Sequence, residues 1–277
     1  MNKSIMENYT KLSLVPILPP LFLLLSIVVY LYTKDALNIE NYIGIQKGSF
    51  FYINHVLGQF PMLQYNLTQF GDAFVFLSLL TVFIIHAPKI WEALVCASLV
   101  SVVFCSLFKK LFSVPRPAVI LDHNSFVIVG KTLLGHNSLP SGHSMTVFTI
   151  LTILLFAFMP SKKSKQIIWT ISVLMIGLVL VFTRVGVGAH YPLDVLAGSI
   201  IGYISGLLGI FICRKYSLCQ WIGNKKIYPF FILLFTVSIV LLINKILKEN
   251  LVIYYFPLVI LFITIYLMIK VYVRKRF

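Results

Sequence analysis

The sequence predicts an all-α protein, a polytopic membrane helix bundle with a six-helix core and two further helices at its C-terminus. Three observations carry this. Of 277 residues, 59% are hydrophobic and 11% charged, against roughly 25% charged in soluble domains. Eight apolar runs approach or reach the roughly 17–25 residues a helix needs to cross a bilayer. The net charge of +15 lies between those runs rather than on one stripe or arm. That distribution suits helix ends facing anionic lipid and disfavours nucleic acid as a partner.

The eight crossings fall at about 15–33, 73–87, 90–108, 143–160, 166–186, 193–213, 228–244 and 251–269. The first is a retained helix rather than a signal peptide: no small-residue cleavage site follows Tyr32, and Lys34-Asp35 closes the run. The second is short and starts inside the preceding loop. With the N-terminus inside, the inner segments carry a net charge of +12 and the outer ones +3, as the positive-inside rule requires. Both termini are therefore expected in the cytoplasm. Composition rich in Lys, Ile and Asn points to a bacterium with an AT-rich genome, and the expected location is the bacterial inner (cytoplasmic) membrane. The core is placed at 1–215, and two additional helices with a basic tail at 216–277.

Between the first two crossings, 49–70 contains Phe50, Phe51, Tyr52, Phe60, Tyr65 and Phe70. Aromatic residues at this density suit the headgroup level, so this stretch reads as an interfacial loop bordering lipid access to the site. Asn66-Leu67-Thr68 is a glycosylation sequon of a kind common by chance. In the sixth crossing Gly198, Gly202 and Gly206 recur every four residues, giving a smooth face for packing within the monomer. That face sets no oligomeric state. Cys96, Cys105, Cys213 and Cys219 lack zinc-type spacing, so neither a disulfide nor a metal site is expected.

The same topology puts three polar clusters, within 109–194, on the outer face. The first runs from Lys109 through Arg116, which Pro115 and Pro117 hold in a restricted backbone. A basic flank ending in a turn would explain it alone. The second is Pro140-Ser141-Gly142-His143. Ser141 would cap the next helix, its free N–H groups would hold an anion, and Gly142 would admit a ligand closely. His143 would donate a proton to a leaving oxygen. In the third, Arg184 precedes His190 and Asp194, with Pro192 marking a helix start and Gly186 and Gly188 loosening the approach. Asp194 would fix the His190 tautomer and leave its other nitrogen to attack phosphorus. An ordinary His–Asp pair at a membrane surface would look similar. Together, arginines, lysine, histidines and a carboxylate are what phosphoryl transfer needs: positive charge and donors in fixed geometry.

At these positions Lys109-x6-Arg116-Pro117, Pro140-Ser141-Gly142-His143 and Arg184-x5-His190-x3-Asp194 resemble the signature of the type 2 phosphatidic acid phosphatase family. That family also includes soluble acid phosphatases and vanadium haloperoxidases. One departure is Thr183, where many members have Ser. The resemblance implies His190 as a nucleophile forming a phosphohistidine, with Asp194 orienting it and His143 as acid and then base. It implies that Lys109, Arg116, Ser141, Gly142 and Arg184 hold the phosphate, with no metal or other cofactor. Lys110 stands beside Lys109, so spacing alone selects between them.

The expected function is removal of a terminal phosphate from a lipid phosphate or diphosphate on the outer face. The partners are then the lipid substrate and the bilayer. Polyprenyl diphosphate, phosphatidylglycerol phosphate or phosphatidic acid, and lipid A compete as substrates. The nearest rival is a lipid phosphotransferase using the same intermediate. A transporter or flippase is the rival of another class, disfavoured because the ionisable residues sit at helix ends and no inverted repeat is evident.

Overall fold

The computed structural model describes residues 1–216 and 218–273, and every regular element among them is helical. The helices are α1 Asn2–Lys11, α2 Leu18–Thr33, α3 Ile39–Gly58, α4 Pro61–Thr68, α5 Ala73–Leu79, α6 Phe83–His86 and α7 Pro88–Phe112. They continue with α8 Pro117–Ile120, α9 Gly142–Ala157, α10 Lys163–Gly186, α11 Pro192–Tyr216, α12 Tyr228–Glu249 and α13 Tyr255–Val273. Residues 274–277 of the expected basic tail lie outside the described residues.

Among the described residues, six stretches are long and apolar enough to cross a membrane: Val15–Thr33, Pro88–Ile120, Lys163–Gly186, Pro192–Tyr216, Lys225–Glu249 and Val252–Val273. Their outer faces are apolar. Leu23, Leu25 and Val28 of α2 and Leu233, Val237 and Val240 of α12 are each at least half exposed, a surface that hydrocarbon would solvate. The two other expected crossings differ. α9 has 16 residues, about 24 Å of helix against the roughly 30 Å of a bilayer core. The run at 73–87 is not one helix. It breaks after Leu79, and the Leu80 carbonyl accepts from Trp91 Nε1 at 2.7 Å. The Thr81 hydroxyl turns back to Ser78 O at 3.0 Å.

The centre is α11, packed on α9 and α7. A Cβ on Gly198, Gly202 or Gly206 would come within 2.6, 2.4 or 2.7 Å of α9 or its cap, and one on Gly209 within 2.3 Å of Ala97 in α7. The glycine face thus lets helices of one chain touch backbone to backbone. At one end of the bundle, Arg214 Nη1 binds the carbonyls of Tyr9, Thr10 and Leu12 at 3.0, 3.3 and 2.8 Å, satisfying the C-terminus of α1. The last turns of α7 and α10 and the first turns of α9 and α11 meet at the opposite end, where all three polar clusters lie.

The expected loop at 49–70 is largely helical. α3 buries Tyr42, Gln46, Phe50, Asn54 and Gly58, a spacing of four that makes one continuous helix face. It runs beside the polar end of the bundle rather than away from it. Phe50 is fully buried against Phe126 and Tyr191, whereas Tyr52 and Phe60 are exposed. The aromatic residues are therefore divided between core and surface.

Candidate active site

Backbone positions come first. Arg116 is extended and precedes the short α8, with its N–H bound to Gly135 O at 2.9 Å. Ser141 is the N-cap of α9; its oxygen accepts from Ser144 N at 3.4 Å and Ser144 Oγ at 3.0 Å. The Ser141 N–H donates to Asp194 O at 3.0 Å, joining the second cluster to the third. α11 begins at Pro192 with Asp194 in its first turn. α10 ends at Gly186, whose absent Cβ would stand 2.8 Å from Gln64 Oε1 and 2.9 Å from Leu57 Cβ. Close approach of α3 and α4, rather than looseness, explains that glycine. Gly188 has φ +74°, the left-handed conformation that glycine adopts without penalty.

The polar chemistry centres on His190 and Asp194, which are 1% and 0% exposed. His190 Nδ1 lies 3.6 Å from Asp194 Oδ2, too long for a hydrogen bond. Ser138, which the sequence reading missed, stands between them. Its hydroxyl donates to Asp194 Oδ2 at 2.5 Å and lies 3.3 Å from His190 Nδ1. The other carboxylate oxygen accepts from Tyr42 OH at 2.7 Å, and Oδ2 also takes Tyr191 N–H at 3.0 Å.

On the opposite side of the ring, Arg116 Nη1 is 3.3 Å from His190 Nε2 and 3.3 Å from Ala189 O, while its Nε binds Asn137 Oδ1 at 2.8 Å. A guanidinium can only donate. Nε2 is therefore the acceptor, Nδ1 carries the proton, and the chain Nδ1–H to Ser138 O–H to carboxylate has one consistent direction. Burial first, then the charges of Arg116, Arg184 and Lys109, hold the His190 pKa well below the ordinary histidine value. The ring is neutral, with a lone pair on Nε2.

His143 and Arg184 line a cavity of about 170 Å³ with Thr68, Gln69 and Lys131 among its walls. Arg184 is buried; Nη1 donates to Thr68 Oγ1 at 2.9 Å, and Nε has no partner. His143 rests on Gly71, where a Cβ would fall 2.5 Å from His143 Cβ. A Cβ on Gly142 would stand 3.5 Å from Lys109 Nζ, whereas Lys110 is exposed. Lys109 thus lies beside the second cluster. Thr183 bonds back to Leu180 O at 2.5 Å within α10 and so faces its own helix.

Each expected site residue therefore lies at one end of the bundle. Tyr42, Thr68, Asn137 and Ser138 join them. Among the described residues, no group of three or more His, Cys, Asp or Glu is placed to hold a metal ion.

Residues 90–218 match the family model described as the PAP2 superfamily. The chain is 27% identical over 198 residues to the lipid A 4'-phosphatase of Porphyromonas gingivalis, covering 66% of this chain and 79% of that protein. It is 28% identical over 185 residues to the undecaprenyl-diphosphatase of Sulfolobus acidocaldarius, covering 66% and 84%. A shorter match, 35% over 81 residues, is to the bacitracin transport permease protein BcrC of Bacillus licheniformis and spans 36% of that protein. Among solved structures, Aquifex aeolicus LpxE aligns with a TM-score of 0.47 and 26% identity, over 60% of this chain and 95% of that one.

Proposed function

Residues 90–218 of this chain belong to the PAP2 superfamily, and on that premise we propose that the protein is an integral membrane phosphatase. It removes a terminal phosphate from a lipid phosphate or diphosphate, through a phosphohistidine on His190 and without a metal. The observation that carries this reading is the hydrogen-bond chain from Asp194 through Ser138 to His190, which leaves the Nε2 lone pair facing Arg116.

Arg116 gives up its bond to Nε2 and turns its fork to the incoming phosphoryl oxygens. Arg184, whose Nε is free, and Lys109 take the remaining oxygens, with the Ser141 and Gly142 cap beside them. His143 takes up a proton as the phosphate dianion binds; Nε2 then attacks phosphorus and His143 gives that proton to the departing oxygen, so the P–O bond breaks as the P–N bond forms. His143 then takes a proton from water, whose oxygen displaces Nε2 and yields inorganic phosphate. The positive charge that develops on His190 is stabilised through Ser138 by Asp194.

The charge pattern favours placing the site on the outer face, with both termini in the cytoplasm. The substrate is an amphiphile whose tail remains in the bilayer. Polyprenyl diphosphates and phosphorylated lipid A are the first to test, given the relatives' names.

The test is phosphate release from a panel of lipid phosphates by the purified protein, with and without EDTA. The expected result is EDTA-insensitive turnover that His190→Ala abolishes. Turnover persisting in that variant removes His190 as nucleophile. Lipid movement without phosphate release favours a transporter.

A further inference from the structure

The hairpin of α12 and α13 lies beyond the matched residues 90–218. It nevertheless grips one wall of the active site. Lys245 Nζ, in the last turns of α12, stands 2.6 Å from Asp72 Oδ2. Asn66 Oδ1 accepts from Ile253 N at 3.1 Å, and Thr81 Oγ1 lies 3.1 Å from Thr264 Oγ1. Tyr254 OH is bonded to Glu249, and its ring lies 5.3 Å from Lys245 Nζ, which fixes the lysine from a second side.

The wall that is gripped is short. Thr68 holds Arg184 at its start, and Gly71 backs His143 near its end. Asp72 follows at once, and its other oxygen caps α5 through Phe74 N at 2.9 Å. Gly71 adjoins Asp72 in the chain and packs on His143 closely enough that a Cβ would fall 2.5 Å from it, so a displacement at Asp72 passes to the residue that backs His143. The ion pair is partly exposed, with side chains 34% and 26% accessible, so its hold is modest and adjustable.

From this connectivity we propose that the C-terminal hairpin is a positioning element of the active site, acting through Lys245 and Asp72 on His143 and Arg184. The proposal rests on the phosphatase reading above. Neither residue touches the reacting phosphate. Their effect is on where the proton donor and one anion-binding arginine stand.

The experiment compares the full-length protein with Lys245→Met, Lys245→Arg, Asp72→Asn and the Asp72→Asn/Lys245→Met double variant. Asn at 72 keeps the helix cap, so that substitution isolates the ion pair. Two readouts are taken in detergent: kcat and KM for phosphate release from dioctanoyl phosphatidic acid and farnesyl diphosphate, and hydrogen exchange over 66–76. Lys245→Met is expected to lower kcat about tenfold with KM within about twofold, and to speed exchange about two- to fivefold. Lys245→Arg restores both, and the double variant loses no more than either single one. Unchanged kcat and exchange in Lys245→Met overturn the proposal. So does a kcat loss that follows the folded fraction and that Lys245→Arg does not rescue. If the unaltered protein releases phosphate from no lipid, the phosphatase reading fails, and the exchange readout decides separately whether the hairpin holds the wall.

Discussion

The Ser138 hydroxyl stands 2.5 Å from Asp194 Oδ2, well inside the 3.6 Å that separates the same oxygen from His190 Nδ1. The carboxylate therefore reaches its histidine through an intervening hydroxyl. Removing that hydroxyl leaves a gap too long for a hydrogen bond and frees the ring to rotate. Ser138→Ala should lower kcat about 10- to 100-fold with little change in KM, measured as phosphate release in detergent. Full activity in Ser138→Ala would mean that the direct His–Asp contact suffices.

Gly71 offers a second test. A methyl group there would fall 2.5 Å from His143 Cβ and 2.6 Å from its Cδ2, forcing the imidazole aside. Gly71→Ala should cost about 100-fold in kcat, the scale of a 1 Å misplacement. A substrate with a better leaving group should recover part of the loss, because the proton that His143 supplies then matters less.

Packing makes a third prediction. At Gly202 an added Cβ would sit 2.4 Å from Met145 O, a backbone atom that cannot turn away. Gly202→Ala should destabilise the bundle by about 1–3 kcal/mol, read from unfolding in mixed micelles. Gly44, with nothing within 4 Å of its Cβ position, is the control, and Gly44→Ala should be neutral or slightly stabilising.

The fourth concerns pH. The His190 pKa is held well below 6.5 in the folded protein, first by burial and then by Arg116, Arg184 and Lys109. As pH falls below about 6.5 the unfolded chain takes up a proton that the folded ring refuses. This contribution is complete above that pH and is lost progressively toward the folded value. The melting temperature in detergent should decline between about pH 7 and 5, and His190→Gln should flatten part of the decline.

The residues that bear charge were legible in the sequence because charge is scarce in an apolar chain. Lys109, Arg116, His143, Arg184, His190 and Asp194 stand out, and topology places them at one end. The hydroxyl groups that complete the site were not legible. Ser138, Thr68 and Tyr42 act singly, and a lone hydroxyl resembles any other until folding brings it to a carboxylate or a guanidinium. Asn66 and Thr68 belong to a sequon, yet they serve Ile253 N and Arg184.

α3 escaped notice for a different reason. Its buried face alternates Tyr42 and Phe50 with Gln46 and Asn54, so a hydropathy reading sees no stripe. The polar members are spent on backbone. Gln46 accepts from Leu193 N at 2.7 Å, and Asn54 binds Val127 and Val185. The break at Leu80 carries no Gly or Pro; it depends on Trp91, eleven residues away.

Three cations, Lys109, Arg116 and Arg184, surround a site whose acidic member is Asp194. On the proposed chemistry they bind the phosphoryl group whichever alcohol it came from, and they bind the freed inorganic phosphate equally well. Turnover is therefore self-limiting: product competes with every substrate for the same three charges. What raises a lipid above its own product is the energy of seating its tail.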